Sequence, residues 1–215
     1  MLRNTILTAA TQVFAREGIT AARVEDILLE AKLARRTFYR YFASKEAVLA
    51  ALHELWTGDL LRAIEASRSA APDDPLAGVR AGIDLFLGFF SGRAQLGAPV
   101  AGRRPSRAAQ STNRRGGVGR AVRELVELAM RSDSLLAARR RWVRGEIVKI
   151  MDRAARDLDG KRRDPFVFYG LLGALESIAL ELDGASDADV ERARRVLHSL
   201  VDQVFGVAAR SRRSS

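Results

Sequence analysis

The residues with the most chemical capacity lie in one short stretch. Positions 34 to 42 read ARRTFYRYF, which is three arginines, one threonine and four aromatics in nine residues, and Lys45 follows. Guanidinium groups offer paired N–H donors that match guanine O6 and N7, or a phosphate. Lysine, threonine and tyrosine donors suit phosphate oxygens, where they fix register rather than read sequence. Aromatics at this density normally belong in a core, yet here they are interleaved with cations. Helical spacing divides the stretch into two jobs. Phe38 and Phe42 are four residues apart, share a face and can pack inward. Arg35, Arg36, Thr37, Tyr39 and Arg40 fall largely off that face. Tyr41 lies beside it, so its ring can pack while its hydroxyl reaches a phosphate.

Composition points to a polyanionic partner. The 215-residue chain carries 36 Lys and Arg against 26 Asp and Glu, a net charge of +10 with a pI of about 11.0. Such a balance favours nucleic acid. The excess is not concentrated in the stretch above: residues 1–50 are net +3, whereas 92–117 and 118–163 are each net +6. Charge alone therefore does not locate the binding surface. A hydrophobic fraction of 47% is enough for one substantial core, or for a small module attached to a larger one.

Several classes are set aside. The chain has no cysteine and two histidines far apart, His53 and His198, so we expect no metal and no cofactor. The opening residues, MLRNTILTAATQVFAREG, lack a long apolar run and a small-residue cleavage site. No window approaches eighteen uninterrupted apolar residues. The expectation is a cytoplasmic protein with no membrane association. There is no glycine-rich phosphate loop, no nucleophile motif and no histidine–carboxylate cluster, which argues against an enzyme. Asp73 and Asp74 sit in a turn and need no catalytic account.

The stretch must be positioned by helices, because no β-type alternation appears. Residues 3–17 place Ile6, Ala10, Val13 and Phe14 on one stripe that ends at Gly18. Residues 24–31 repeat the pattern, 35–42 form a short third segment, and Ser44 caps a long fourth helix to about residue 69. APDDP then breaks the chain, with Pro75 in the first turn of a fifth helix to about residue 91. Residues 92–117, rich in glycine, proline, serine and arginine, read as a loop or poorly ordered insert. Its arginines have three readings: a solvated linker, non-specific DNA contacts, or an anion-holding segment. Helical patterns resume at about 118–131, 133–158, 164–183 and 187–207, before a frayed RSRRSS tail. The fold class is all-α, with an N-terminal domain over 1–47 and a larger helical domain over 48–210.

Helix, helix, tight turn and short helix is the layout of a helix-turn-helix DNA reader. The second helix crosses the backbone, and the third enters the major groove with the end that begins near Arg35. At this point the chain resembles a known family. ILTAATQVFAREGITAARVEDILLEAKLARRTFYRYFASKEAVLAAL, residues 6 to about 52, looks like the N-terminal domain of TetR-type (tetracycline-repressor-like) transcriptional regulators. The TFYRYFASKE core carries most of that likeness, and the rest of the chain matches only in helical pattern. The resemblance implies that Arg35 and Arg36 read base edges, that Thr37 and Tyr39 contact phosphates and, for the tyrosine, a base, and that Lys45 pairs with a phosphate. Three positions depart from the family pattern: Lys32 replaces the usual turn glycine, Ala34 the serine N-cap, and Arg23 a threonine or serine. Lys32 and Arg23 either reach phosphates or are solvated surface residues.

The resemblance also implies a homodimer, a small-molecule effector and, most commonly, repression. The dimer face would be built on 164–183 and 187–207, through Phe166, Gly170, Ala174, Ile178, Leu197, Leu200, Val201 and Val204. The alternative for these residues is an internal core, and both can hold at once. His53, Trp56, Phe86, Phe89, Phe90, Trp142 and Tyr169 are the candidates for an effector pocket, against plain core packing. The ligand would be hydrophobic or amphipathic. A less specific, nucleoid-type basic DNA-binding protein without an effector is the rival. It accounts for the charge but not for the large aromatic-rich remainder of the chain.

Overall fold

A computed structural model of the chain describes residues 1–91, 121, 124, 125, 127–129, 136–182 and 185–207, with the backbone alone for Phe89. The segment expected as a loop over 92–117 and the RSRRSS tail lie outside the described residues, as does part of the helix expected over 118–131. Among the described residues the secondary structure is helical, with no strand. Eight helices follow in order: α1 (Leu2–Glu17), α2 (Val24–Ala31), α3 (Arg35–Tyr39), α4 (Lys45–Ala70), α5 (Ala77–Phe90), α6 (Ala137–Asp159), α7 (Pro165–Leu180) and α8 (Asp187–Phe205). The described positions between 121 and 129 are helical as well.

The chain groups into two compact units. The first comprises Met1–Gly58 and Gly92–Arg140, and the second Asp59–Ser91 and Arg141–Ser215. The expected 1–47 domain falls inside the first unit.

In the first unit, α1 buries Ile6, Leu7, Ala10, Val13 and Phe14, a helical stripe. Gly18 ends it with φ 86, a conformation that suits glycine, and its N–H donates to the Phe14 carbonyl at 2.9 Å. Helix α2 starts with half of a capping box: Asp26 Oδ2 accepts from the Arg23 N–H at 2.8 Å. The reciprocal bond is chemically closed to it, because a guanidinium has no acceptor. At its end, Leu33 N–H donates to Leu28 O and Lys32 N–H to Leu29 O, with Lys32 left-handed at φ 53. That is a Schellman closure, with a lysine where glycine is normally found. Helix α3 follows Ala34 at its N-cap, whose side chain accepts no capping bond. It stops at Tyr39, three residues before the expected end. Tyr41 N–H donates back three residues to Phe38 O at 2.8 Å, which tightens the chain into a turn ahead of α4. Ser44 Oγ then accepts from the Ala47 N–H at 3.3 Å, capping α4.

Helix α5 begins at Ala77 rather than at Pro75. Asp74 makes a turn first, its side chain accepting from the Leu76 N–H and its carbonyl from the Ala77 N–H, each at 3.0 Å. In the second unit, α5 lies tightly against the later part of α4. A Cβ built at Gly78 would meet the Ile64 carbonyl at 2.8 Å, and one at Gly82 would meet Ile64 Cδ1 at 3.0 Å. Helices α5, α7 and α8 pack on one another, with Phe168 stacked on Phe205 at 5.7 Å between ring centroids. Asp164 caps α7 and Ser186 caps α8, the latter through a full capping box with Asp189. Arg163 closes the other end of α8, donating to the carbonyls of Val204 and Phe205 while paired with Asp159.

One strain in this scaffold can be removed. A β-carbon in the left-handed region costs about 1 kcal/mol. Lys32→Gly is therefore expected to raise the free energy of unfolding in urea by roughly that amount, net of glycine's greater unfolded-state freedom. A midpoint that falls instead would show that the lysine side chain stabilises the turn.

Candidate nucleic-acid interface

Helix α3 is too short to hold itself, since isolated helices need roughly a dozen residues or more. Its anchor is Phe38, which is fully buried, with Phe42 at 5% exposure beside it. The two rings lie 6.1 Å apart and join the cluster formed by Ile6, Val13, Phe14, Ile27 and Val48. With that face fixed inward, Arg35, Arg36, Tyr39 and Arg40 are exposed and Thr37 is half-buried. Tyr41 is exposed too, and Arg40 folds back on it, 5.1 Å above the ring and donating to its hydroxyl at 3.3 Å. Arg23 and Lys32 are exposed at the start and end of α2. Of these cations, Lys32 and Arg35 flank the α2–α3 turn, whereas Arg23 stands at the opposite end of α2.

Lys45 is placed differently from a free surface cation. Its ammonium donates to the carbonyls of Ile19 and Ala22 at 2.8 Å each, and to that of Thr20 at 3.4 Å. The same turn is held from its amide side by Glu124, which accepts from the Ile19 N–H. Gly18 makes room for that carboxylate: a Cβ there would come within 2.9 Å of Glu124 Oε1. The turn joining α1 to α2 therefore sits between an ammonium and a carboxylate. Nothing in the sequence signals this arrangement, because Glu124 lies 105 residues away from its partner.

The same holds for a pair that joins α2 to α3. Arg35 Nη2 donates to Glu25 Oε1 on α2, forming an ion pair, and its guanidinium lies 6.0 Å from the Tyr39 ring centroid. Glu25 has no helical-spacing relation to Arg35, so periodicity does not join them.

The candidate pocket residues fall into both units. In the first, His53 and Trp56 are buried, at 3% and 4% exposure, with their rings 6.1 Å apart. Burial, with Arg139 nearby, pushes the His53 imidazole down to about 4, and its Nδ1 has no hydrogen-bond partner among the described residues. Trp56 lines an apolar cavity of about 20 Å³ with Thr11, Phe14, Ile19, Leu49, Leu52, Ala121 and Leu125. That is room for roughly one water-sized group. In the second unit, Phe86 and Phe90 are buried with rings 4.8 Å apart, Trp142 is 47% exposed, and Tyr169 is half-buried under the Arg144 guanidinium. For Phe89 the side chain lies outside the described residues. Among the described residues no three His, Asp or Glu side chains are grouped to hold a metal ion, and no helix is long and apolar enough to cross a membrane.

The candidate dimer residues also divide. Phe166 is 81% exposed, and a Cβ at Gly170 would meet nothing within 4 Å. Ala174, Ile178, Leu200 and Val204 are half-buried. Leu197 and Val201 are fully buried in the second unit itself. Val196, which the sequence reading passed over, is 47% exposed on α8.

Residues 6–52 match the family described as bacterial regulatory proteins, tetR family. The chain is 32% identical over 85 residues to the HTH-type transcriptional regulator EthR of Mycolicibacterium smegmatis, covering 40% of this chain and 39% of that protein. It is 44% identical over 52 residues to the HTH-type transcriptional repressor NicS of Pseudomonas putida, 24% of each chain. The chain thus matches about two fifths or less of the length of these curated relatives. Among solved structures, the fatty acid degradation regulator FadR from Bacillus halodurans superposes with a TM-score of 0.62 at 18% identity, over 95% of both chains. Reduced NemR of E. coli gives 0.63 at 18% identity, over 91% of this chain and 94% of that one. At this identity the likeness shows the fold, an N-terminal helix-turn-helix domain followed by a helical C-terminal domain.

Two outcomes follow from the geometry. Lys45→Met removes the donor from three carbonyls and is expected to lower stability by about 1–3 kcal/mol in denaturant unfolding. A solvated lysine would change it by less than about 0.5 kcal/mol. His53 is neutral in the fold well below the pH at which an unfolded imidazole takes up a proton. Its contribution is full above about pH 6.5 and is lost as pH falls from there to about 4. Stability should decline across that window by up to roughly 1.4 kcal/mol per pH unit, and His53→Gln should flatten the decline. An unchanged slope in the variant would assign the pH dependence to other groups.

Proposed function

We propose that this chain, which belongs to the tetR family of bacterial regulatory proteins through its N-terminal domain, is a sequence-specific DNA-binding transcriptional regulator. The observation that carries the reading is the division of α3, with Phe38 fully buried and Arg35, Arg36, Tyr39 and Arg40 exposed along the opposite side. Arg35 and Arg36 read base edges in the major groove, assisted by Tyr39 and Arg40. Thr37, Tyr41, Arg23 and Lys32 contact phosphates and set the register. Lys45 serves the phosphate backbone through the turn that it holds, and its ammonium reaches a phosphate only by giving up a carbonyl.

The protein acts in the cytoplasm as a homodimer, which would set two copies of α3 about 34 Å apart on a near-palindromic site. An exposed Phe166, the open flank of Gly170, and the half-buried Ala174, Ile178, Leu200 and Val204 support such a face. Leu197 and Val201 would serve it indirectly, as the packing beneath. A hydrophobic or amphipathic effector would relieve repression by favouring a state that does not bind DNA. In the first unit, His53 and Trp56 supply candidate contacts. The 20 Å³ cavity beside Trp56 has to widen before it accepts a ligand of any size.

Footprinting after selection from a random duplex pool tests the reading. A regulator protects one short site with twofold symmetry, whereas broad coating of every duplex would favour the nucleoid-type alternative. Light scattering at micromolar concentration should give the dimer mass, and a monomer would overturn that part. Arg36→Ala is expected to relax discrimination at one base pair per half-site by roughly tenfold, while its affinity for random duplex falls far less. Equal losses on both would remove Arg36 from base reading.

A further inference from the structure

We infer that Glu25 is a specificity-determining residue of the DNA-reading surface. Its carboxylate holds the Arg35 guanidinium for a base edge and turns phosphates away from it. This rests on the reading of α3 as the recognition helix.

The geometry is unusual for a surface ion pair. Glu25 stands near the start of α2 and Arg35 at the first position of α3, so the pair spans the helix-turn-helix turn. Both side chains are open to solvent, at 57% and 64% exposure, so the pair adds little to stability. Its effect is directional instead. Arg35 is held on one side by the Glu25 oxygen and lies 6.0 Å from the Tyr39 ring on another. A guanidinium has five N–H donors, and the bond to Glu25 engages Nη2. The donors that remain can meet guanine O6 and N7, which bear no net charge. A phosphate approaching the same guanidinium meets the Glu25 carboxylate as a like charge. The pair thus favours base over backbone.

The neighbouring arginines define the contrast. Arg36 is exposed as well, and among the described residues it has no such tether. Arg40 is held by the Tyr41 ring and hydroxyl, with no carboxylate present to repel a phosphate. One arginine of the three is therefore selective by arrangement. No acidic residue lies three or four positions from Arg35, so the carboxylate has to come from another helix.

The test compares four proteins: the full-length wild type, Glu25→Gln, Arg35→Ala and the double variant. Each is selected against a random duplex pool, then titrated with the selected duplex and with random duplex over a salt series. Glu25→Gln should lose roughly tenfold in discrimination at the base pair that Arg35→Ala also relaxes. It should bind random duplex about threefold more tightly, with a salt slope steeper by about 1, because a guanidinium is released to the phosphates. The double variant should discriminate at that base pair no worse than Arg35→Ala alone. A Glu25→Gln protein that keeps its preference there, or that loses affinity for every duplex alike, overturns the inference and leaves the DNA-reading function standing. A wild type that selects no sequence overturns both.

Discussion

Burial of Phe38 is the constraint from which the exposed cationic side of α3 follows. A five-residue helix has almost no stability of its own, so its orientation is set by what it packs against. Phe38 is fully buried among residues of α1, α2 and α4, and removing such a ring typically costs about 3–5 kcal/mol. Once that ring is fixed, helical geometry leaves Arg35, Arg36, Tyr39 and Arg40 outward. The aromatic residues in the stretch thus do two kinds of work. Phe38 and Phe42 hold the helix, while Tyr39 and Tyr41 form surfaces on which guanidinium groups rest.

The turn before α2 is a second constraint, and it is polar. Residues 18–22 expose both backbone donors and acceptors, and the structure pairs each kind with a charged side chain. Lys45 takes the carbonyls and Glu124 an amide. Hydrogen bonds that involve an ion are stronger than neutral ones, so this turn is held more firmly than its sequence suggests. Gly18 is part of the same device, since its φ of 86 and the approach of Glu124 both disfavour a side chain there. A residue that the family likeness assigns to phosphate therefore also serves the scaffold. Stability and DNA affinity are expected to be coupled at Lys45.

Local pattern made much of this legible in the sequence. The stripes of α1 and α2, the Ser44 cap, and the split of α3 into anchoring and exposed residues all depend on neighbours within four positions. At Lys32 local pattern gave no sign; only the family likeness, which has glycine at this turn, pointed to the left-handed conformation found there. What escaped depends on distance along the chain. The Glu25–Arg35 pair crosses a turn, and Glu124 reaches Ile19 from 105 residues away. The last helix left two readings open, a dimer face and an internal core. Leu197, Leu200, Val201 and Val204 share an apolar half of α8, and periodicity does not tell which edge faces the chain's own core. The structure turns Leu197 and Val201 inward and leaves Val196 exposed.

Charge shows why pairing matters more than the total. In the second unit several cations are paired on their own helix, as in Arg156–Asp152 four apart, and Lys149–Glu146 and Arg192–Asp189 three apart. Such pairs leave little field beyond a Debye length of about 8 Å at physiological salt. The arginines of α3 have no acid at either spacing, so their charge is not cancelled along the helix and a polyanion can use it. A net charge of +10 describes solubility and long-range attraction. A surface suited to a polyanion is better sought where helical spacing leaves a cation uncompensated, and where the nearest carboxylate is placed by tertiary structure.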